Sequence, residues 1–318
     1  MSNLHPTTCP LIAEPWQLLQ HPQVRALAFA IGSVSLVLDW PNPCQASNET
    51  STEPPLELPT DDFWQQQLQR YWPRLLQLDA NPRPLQYALN LRPNLRLGNY
   101  FEDLLAFWLG DEGWHEFLLI GHGIQRMDGK RTLGELDFLL ENLDTGQIEH
   151  WEVCVKFFLG EGLLKAADWV GLQRQDTLGR KLHHLQHQQF AVRRIQGLQI
   201  DRRRAVVKGR LFWPSHMLQR HLPCWLNRTH LSGEWQSQLP RPAPEGQFWR
   251  RAHRLEWLAE YAATMGQTLV QPDPHYWSNG LYLRQDANGQ IQQRLMLRLD
   301  TRSTQPPYAS NSLLQHSY

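Results

Sequence analysis

The sequence predicts a mixed α/β protein, and three observations carry that prediction. Leu97, Phe101, Leu104, Leu105 and Trp108 recur at helical spacing. Two apolar-polar runs, Gly134–Leu140 and Trp151–Lys156, flank the turn-forming cluster Leu143-Asp144-Thr145-Gly146. A second helical pattern over Thr177–Phe190 then leads into the strand-like run Ala205–Trp213. The resulting order is helix, three-strand meander, helix, strand.

Taken in order along the chain, residues 14–40 are expected to be largely helical. Residues 41–61 are rich in Pro, Ser, Thr and Glu and read as a flexible loop or linker. Phe63 to Leu78 has helical spacing, with Phe63, Leu68, Tyr71, Trp72 and Leu75 inward, and Pro82 and Pro84 end it. The helix from near Leu95 carries Glu102 beside its apolar stripe. A strand of about eight residues is expected from Glu116, with a bend or bulge at Gly121-His122-Gly123. Gly160-Glu161-Gly162 opens a loop after the meander. In the next helix Leu178, Leu182 and Leu185 point inward, while Lys181, His184 and Gln188 form a polar face. Pro214 stops the strand that follows. Phe248–Tyr261 reads as a helix. Leu281–Arg284 and Leu295–Leu299 read as a hairpin around Asp286–Gly289, and the tail after Asp300 as loose chain. Three segments follow: residues 1–94 with N-terminal helices and the 41–61 loop, a core at 95–215, and a C-terminal α/β extension at 216–318.

Composition narrows the class. The 318 residues are 41% hydrophobic, enough for a sizeable core. Lys+Arg and Asp+Glu are both 31, so nucleic-acid binding would need a local basic patch rather than net charge. Most of the 14 tryptophans are expected in the core. The start of the chain lacks a signal pattern, and the apolar run Ala28–Trp40 is too short to span a bilayer. Cys9, Cys44, Cys154 and Cys224 form no CxxC pair. A cytoplasmic protein with reduced thiols and no membrane partner is the expectation.

The meander carries the candidate chemistry. Side chains alternate along a strand, so Glu135, Asp137 and Leu139 share one face of their strand and His150, Glu152, Cys154 and Lys156 one face of theirs, and either of two turn placements makes it a common face for Asp137, Glu152 and Lys156. A turn centred on Asp144-Thr145 sets Asp137 opposite Glu152. Centring it on Thr145-Gly146 sets Asp137 opposite Cys154. A loop one residue longer would flip one strand. Two carboxylates and a lysine on one face suit Mg²⁺ or Mn²⁺ and phosphodiester hydrolysis. An ordinary hairpin with cross-strand charge pairs gives the same spacing. Arg202, Arg203 and Arg204, with Arg193, Arg194, Lys208 and Arg210 nearby, form the densest basic region and are candidate phosphate contacts, as is Lys181. His183 and His187 share a helix face but have no third ligand. No serine-nucleophile elbow, nucleotide fingerprint or phosphate-loop ending occurs.

Leu97–Glu102, Leu133–Phe138 and Glu152–Phe157, with the helix and strand after them, together resemble the core of PD-(D/E)XK nuclease-like proteins. They are more closely similar to an uncharacterised bacterial family, a domain of unknown function. The resemblance implies a restriction-endonuclease-like mixed sheet flanked by helices. It implies that Asp137 binds metal, that Lys156 assists the attacking water, and that Glu102 is the acidic residue of the first core helix. It further implies a nucleic-acid substrate, DNA or RNA. One position departs from the pattern. The second carboxylate is expected two residues before the lysine, where this chain has Cys154. Glu152 lies two residues further back, a shift of roughly 7 Å at normal strand rise. Thiolate is a soft ligand and suits Mg²⁺ poorly. Either Glu152 serves from its displaced position, or the site is a degenerate one that binds nucleic acid or a protein without cleaving.

Overall fold

The computed structural model describes residues 8–41, 55–91, 96–128, 131–217, 222–261 and 277–299. The helices are α1 (Pro22–Gly32), α2 (Asp61–Ala80), α3 (Arg83–Asn90), α4 (Leu97–Gly110) and α5 (Leu178–His187). The strands are β1 (Leu56–Glu57), β2 (Phe117–Asp128), β3 (Arg131–Asn142), β4 (Gln147–Gly160), β5 (Trp169–Val170) and the short pair β6 (Arg194–Ile195) and β7 (Leu198–Gln199). They continue as β8 (Arg202–Pro214), β9 (Ser232–Gln236), β10 (Gln247–Arg251), β11 (Gly280–Asp286) and β12 (Ile291–Leu297).

Among the described residues one ten-stranded mixed sheet organises the fold, with the main path β10-β11-β12-β9-β8-β4-β3-β2. The chain is therefore mixed α/β, with a large sheet flanked by helices. Its meander β2-β3-β4 is antiparallel, its centre β4-β8-β9-β12 is parallel, and β10-β11-β12 is again antiparallel. Alternation along β4 and β8 sorts the core. Trp151, Val153 and Val155 of β4 and Val206 and Phe212 of β8 meet α1, α2 and α4 on one face. Cys154 and Phe158 of β4 and Ala205, Val207 and Leu211 of β8 meet α5 on the other. Both faces are covered, as buried parallel strands require. Segments from all three parts of the chain share the sheet and the larger core.

Helix ends follow local chemistry. Thr60 Oγ1 accepts the Phe63 N–H at 3.2 Å, and Asp61 and Asp62 occupy the positive first turn of α2. The far end of α1 is closed by a buried side chain. Lys208 Nζ donates to Ala30 O at 2.9 Å and Ile31 O at 2.7 Å, and stands 3.5 Å from the Trp64 ring centroid. Burial lowers its pKa well below the ordinary lysine value. Lys208→Met keeps the volume but orphans both carbonyls, so urea unfolding should show a loss of about 1–3 kcal/mol.

Several expectations are corrected. Helix α1 ends at Gly32, and the chain beyond it runs extended, with Leu36 N–H bonding Val207 O at 2.8 Å. In the expected 41–61 loop, residues 42–54 lie outside the described residues, and Leu56–Glu57 adds a strand to β8. Phe248–Tyr261 is not a helix. Residues 247–251 form β10 on β11, burying Trp249 against Tyr282 and Leu295, and only Arg254–Trp257 turns as a 3₁₀ helix. Sheet pairing overrides the helical spacing there. Strand β9 was not anticipated. The tail after Asp300 lies outside the described residues. No helix among the described residues is long and apolar enough to cross a membrane.

Candidate functional site

The β3–β4 turn fixes the register. The ladder runs from Asn142↔Gln147 to Phe138↔Trp151, so the loop centres on Asp144-Thr145. One further step sets Asp137 level with Glu152, as the first of the two turn placements requires. The ladder ends there. β3 continues on β2 through Arg131, while β4 continues on β8 to Leu159. The sheet forks at Asp137, and its carboxylate takes over a backbone role. One oxygen accepts the Val153 N–H at 2.7 Å. Glu152 in turn accepts the Asp137 backbone N–H.

The fork opens onto a cleft of about 710 Å³ lined by Glu102, Asp137, Cys154, Lys156, Asp176 and Lys181, among others. Leu139 shares a cluster with Ile148, on the face of β4 that also carries Glu152 and Lys156. By alternation Asp137 belongs to that face. Glu102 enters from α4, on the other side of the fork. His122 Nε2 lies 2.8 Å from Glu102 Oε1 and stacks on Phe138 with ring centroids 4.7 Å apart. The expected bulge aims that histidine. The β2–β3 register shifts between Leu119 and Gly121, and Gly123 has φ +64°. Lys156 Nζ lies 2.7 Å from Asp176, on the loop before α5. Lys181 Nζ donates to Gln189 Oε1 at 2.9 Å, and Gln189 Nε2 donates to Glu152.

Glu152 is placed by register yet hidden. It is fully buried, with His150 Nε2 at 2.7 Å from one oxygen and Gln189 on the other. Glu152, expected as a metal ligand, has both oxygens hydrogen-bonded and is not among the residues that line the cleft. Burial lowers the His150 pKa to about 3, with Arg203 and Arg126 adding to it, so its imidazole is neutral. Burial also raises the Cys154 thiol, against the pull of Lys181 and Lys156.

The carboxyl groups at the fork are electrostatically strained. Burial first, then the charge of Glu152, push Asp137 up to about 8, while the Val153 N–H opposes the rise. Glu152 is also pushed up to about 8, mainly by burial, with Lys181 opposing. Two such groups cannot both ionise cheaply without a cation. Among the described residues no three His, Cys, Asp or Glu side chains form a ready-made metal cluster. Of the described residues, Asp137, Glu102 and the Lys156-paired Asp176 are the carboxylates that line the cleft, and the first two are not paired with its lysines. Two hard oxygen donors plus water and phosphate suit Mg²⁺ or Mn²⁺, so the donor set fits that class of ion.

The basic run behaves differently from its sequence expectation. Arg203 and Arg204 are buried. Arg203 donates to Phe190 O at 2.9 Å, and Arg204 Nε lies 3.1 Å from Glu149, with its guanidinium over Phe63 and Trp151. Arg202 is half-buried, 3.3 Å from Glu57. The three tie β8 to its neighbours and do not form an exposed phosphate-binding strip. Lys181 is the predicted contact that lies at the cleft. Asp176, Gln189 and His122 escaped sequence reasoning, because each reaches the site from a loop, a helix end or a bulge.

Comparison with curated proteins and with solved structures finds no match. A family model described as a domain of unknown function, DUF1853, matches residues 47–305, which covers β1 through β12 and all the residues of the cleft, and the chain belongs to that family.

Proposed function

We propose that the cleft at the sheet fork is a metal-dependent phosphodiesterase site acting on nucleic acid, on a core of the PD-(D/E)XK nuclease-like kind. The observation that carries this is Asp137. It stands where β3 leaves β4, with its carboxyl raised to about 8, in one cleft with Glu102 and Lys156. Asp137 and Glu102 would hold Mg²⁺ or Mn²⁺. The ion would supply Lewis-acid polarisation of a phosphate and a more acidic bound water. Lys156, steadied by Asp176, presents its ammonium to charge that builds on the phosphate. Glu152 acts as a positioning residue. It fixes the Asp137 backbone from behind and is held by His150 and Gln189.

With Mn²⁺, wild-type protein is expected to cleave at least one of single- or double-stranded DNA or RNA. Lys156→Met should lower turnover by about a hundredfold while Mn²⁺ affinity stays within about threefold, because charge is lost but no carboxylate. Cys154→Ser should leave turnover nearly unchanged. Equal turnover in wild type and Lys156→Met would remove the lysine from the reaction.

A second reading has its own observation. Cys154 stands where a carboxylate is expected, and the displaced Glu152 is covered by Gln189. A non-catalytic member of the fold would show that combination. Binding of nucleic acid without cleavage under every metal condition would select it.

A further inference from the structure

Two elements that line the cleft with Asp137 carry exposed or half-exposed cations. One wall is α5. Thr177 caps it through the Arg180 N–H at 3.2 Å, and it presents Arg180 and Lys181. Lys181 lines the main cleft, and Arg180 lines an adjoining cavity of about 700 Å³ that shares Gln173, Asp176 and Lys181 with it. The other wall is the 3₁₀ turn after β10. Arg254 lies there with its guanidinium 4.5 Å from the Trp257 ring centroid. Trp257 packs edge-on against Phe157 at 5.3 Å, next in sequence to Lys156. The ring therefore fixes the guanidinium relative to the strand that carries the lysine. A planar cation stacked on an aromatic face loses little freedom when it meets a phosphate.

The third cavity at the fork shares Glu102 and Asp137 with the main cleft and is more acidic. It measures about 460 Å³ and sets Arg126 against Glu102, Asp103, Glu135 and Asp137. A polyanion is drawn to the two cationic walls and repelled from this lobe.

The recess also selects by shape. Glu102 and Asp137 are only partly exposed within it, and about 710 Å³ is the scale of a small-molecule pocket. Duplex recognition uses broad surfaces of roughly 1,000–2,500 Å² on the protein. A flexible strand whose phosphates can bend inward would reach those recessed carboxylates more readily than a rigid duplex. On the reading of the cleft as a nucleic-acid site, we infer that its ligand is a single nucleic-acid strand, gripped between Arg180 and Lys181 of α5 and the Arg254–Trp257 corner.

The test is fluorescence anisotropy with a labelled 20-mer single-stranded DNA, its RNA counterpart and the blunt DNA duplex. The full chain carrying Asp137→Asn is used, so that cleavage does not blur binding. At least one single strand should bind about tenfold or more tighter than the duplex, with affinity falling as salt rises. Arg254→Glu and Arg180→Glu should each weaken it by about tenfold, whereas Arg126→Glu in the acidic lobe should change it less than about twofold. Circular dichroism checks that each variant is folded, and Arg254→Gln serves as the milder substitution. Duplex binding as tight as single-strand binding, no binding of any strand, or an effect at Arg126 equal to that at Arg254 would overturn the inference. The proposed activity fails separately. Single-strand binding by a wild type that never cleaves keeps this inference and removes the catalytic reading, and cleavage confined to duplex does the reverse.

Discussion

Asp137→Asn should remove metal-dependent cleavage, by about a thousandfold or more, and at the same time make the protein more stable at alkaline pH. The two effects share one cause. The carboxyl is raised in the folded state to about 8, against an ordinary value of 3.8. A raised group contributes its full folded stability below the unfolded pKa, and that contribution is lost as pH rises through the folded pKa. The wild type should therefore lose stability from about pH 4 to pH 8. The asparagine variant keeps an acceptor for the Val153 N–H but cannot ionise. The coupling to Glu152 spreads the shift over two groups, so a gain of about 2 kcal/mol by pH 8 is expected, a rise in Tm of a few degrees. At pH 4 the two proteins should unfold at nearly the same temperature. Equal Tm at pH 8 would mean that Asp137 is already well solvated or paired, and the strained-carboxyl account would fall.

Gly209→Ala should be among the most damaging single substitutions in the chain. Gly209 lies in the middle of β8, opposite Lys156, with φ +133°. A Cβ there would sit 1.8 Å from the Lys156 carbonyl oxygen. That oxygen belongs to the backbone of a central strand, which has no rotamer to yield. We expect a loss of at least about 3–4 kcal/mol, seen as a collapse of Tm or as insoluble protein. Any folded remnant should show the displaced Lys156 as low turnover. Gly98→Ala is the contrast. It lies on α4 with nothing within 4 Å of its Cβ, so alanine should be neutral or stabilising by up to about 1 kcal/mol. Similar melting of the two variants would show that the close approach at Gly209 relaxes easily.

What the sequence made legible was what local chemistry decides. Alternation across the Leu143–Gly146 turn left Asp137 opposite either Glu152 or Cys154 on one common face, and the structure has the first of those two registers. The stripe from Leu97 to Trp108 is the buried side of α4, and Leu178, Leu182 and Leu185 are the buried side of α5. What stayed hidden depends on contacts distant in sequence. Nothing local to Arg203 and Arg204 says that Phe190 O and Glu149 await them inside, so three adjacent arginines read as a surface. Glu152 looks available from spacing alone, and only the fold brings His150 and Gln189 onto it. The stretch after Phe248 has helical spacing from Arg254, but its first residues pair with a strand more than thirty positions later. β9 has five residues and a glycine at its second position, too little pattern to stand out.

On the proposed reading, Asp137 and Glu102 hold a divalent cation at the fork. Calorimetric titration of Mn²⁺ at pH 7, run in two buffers of different ionisation enthalpy, tests it most directly. The Asp137 carboxyl is pushed up to about 8, so it is largely protonated at that pH and a cation bound to it displaces its proton. Saturable binding is expected, with release of up to about one proton per ion. Binding should be weakened at least tenfold by Asp137→Asn and by Glu102→Gln. Absence of binding, or binding with no proton release and the same affinity in Asp137→Asn, would contradict it.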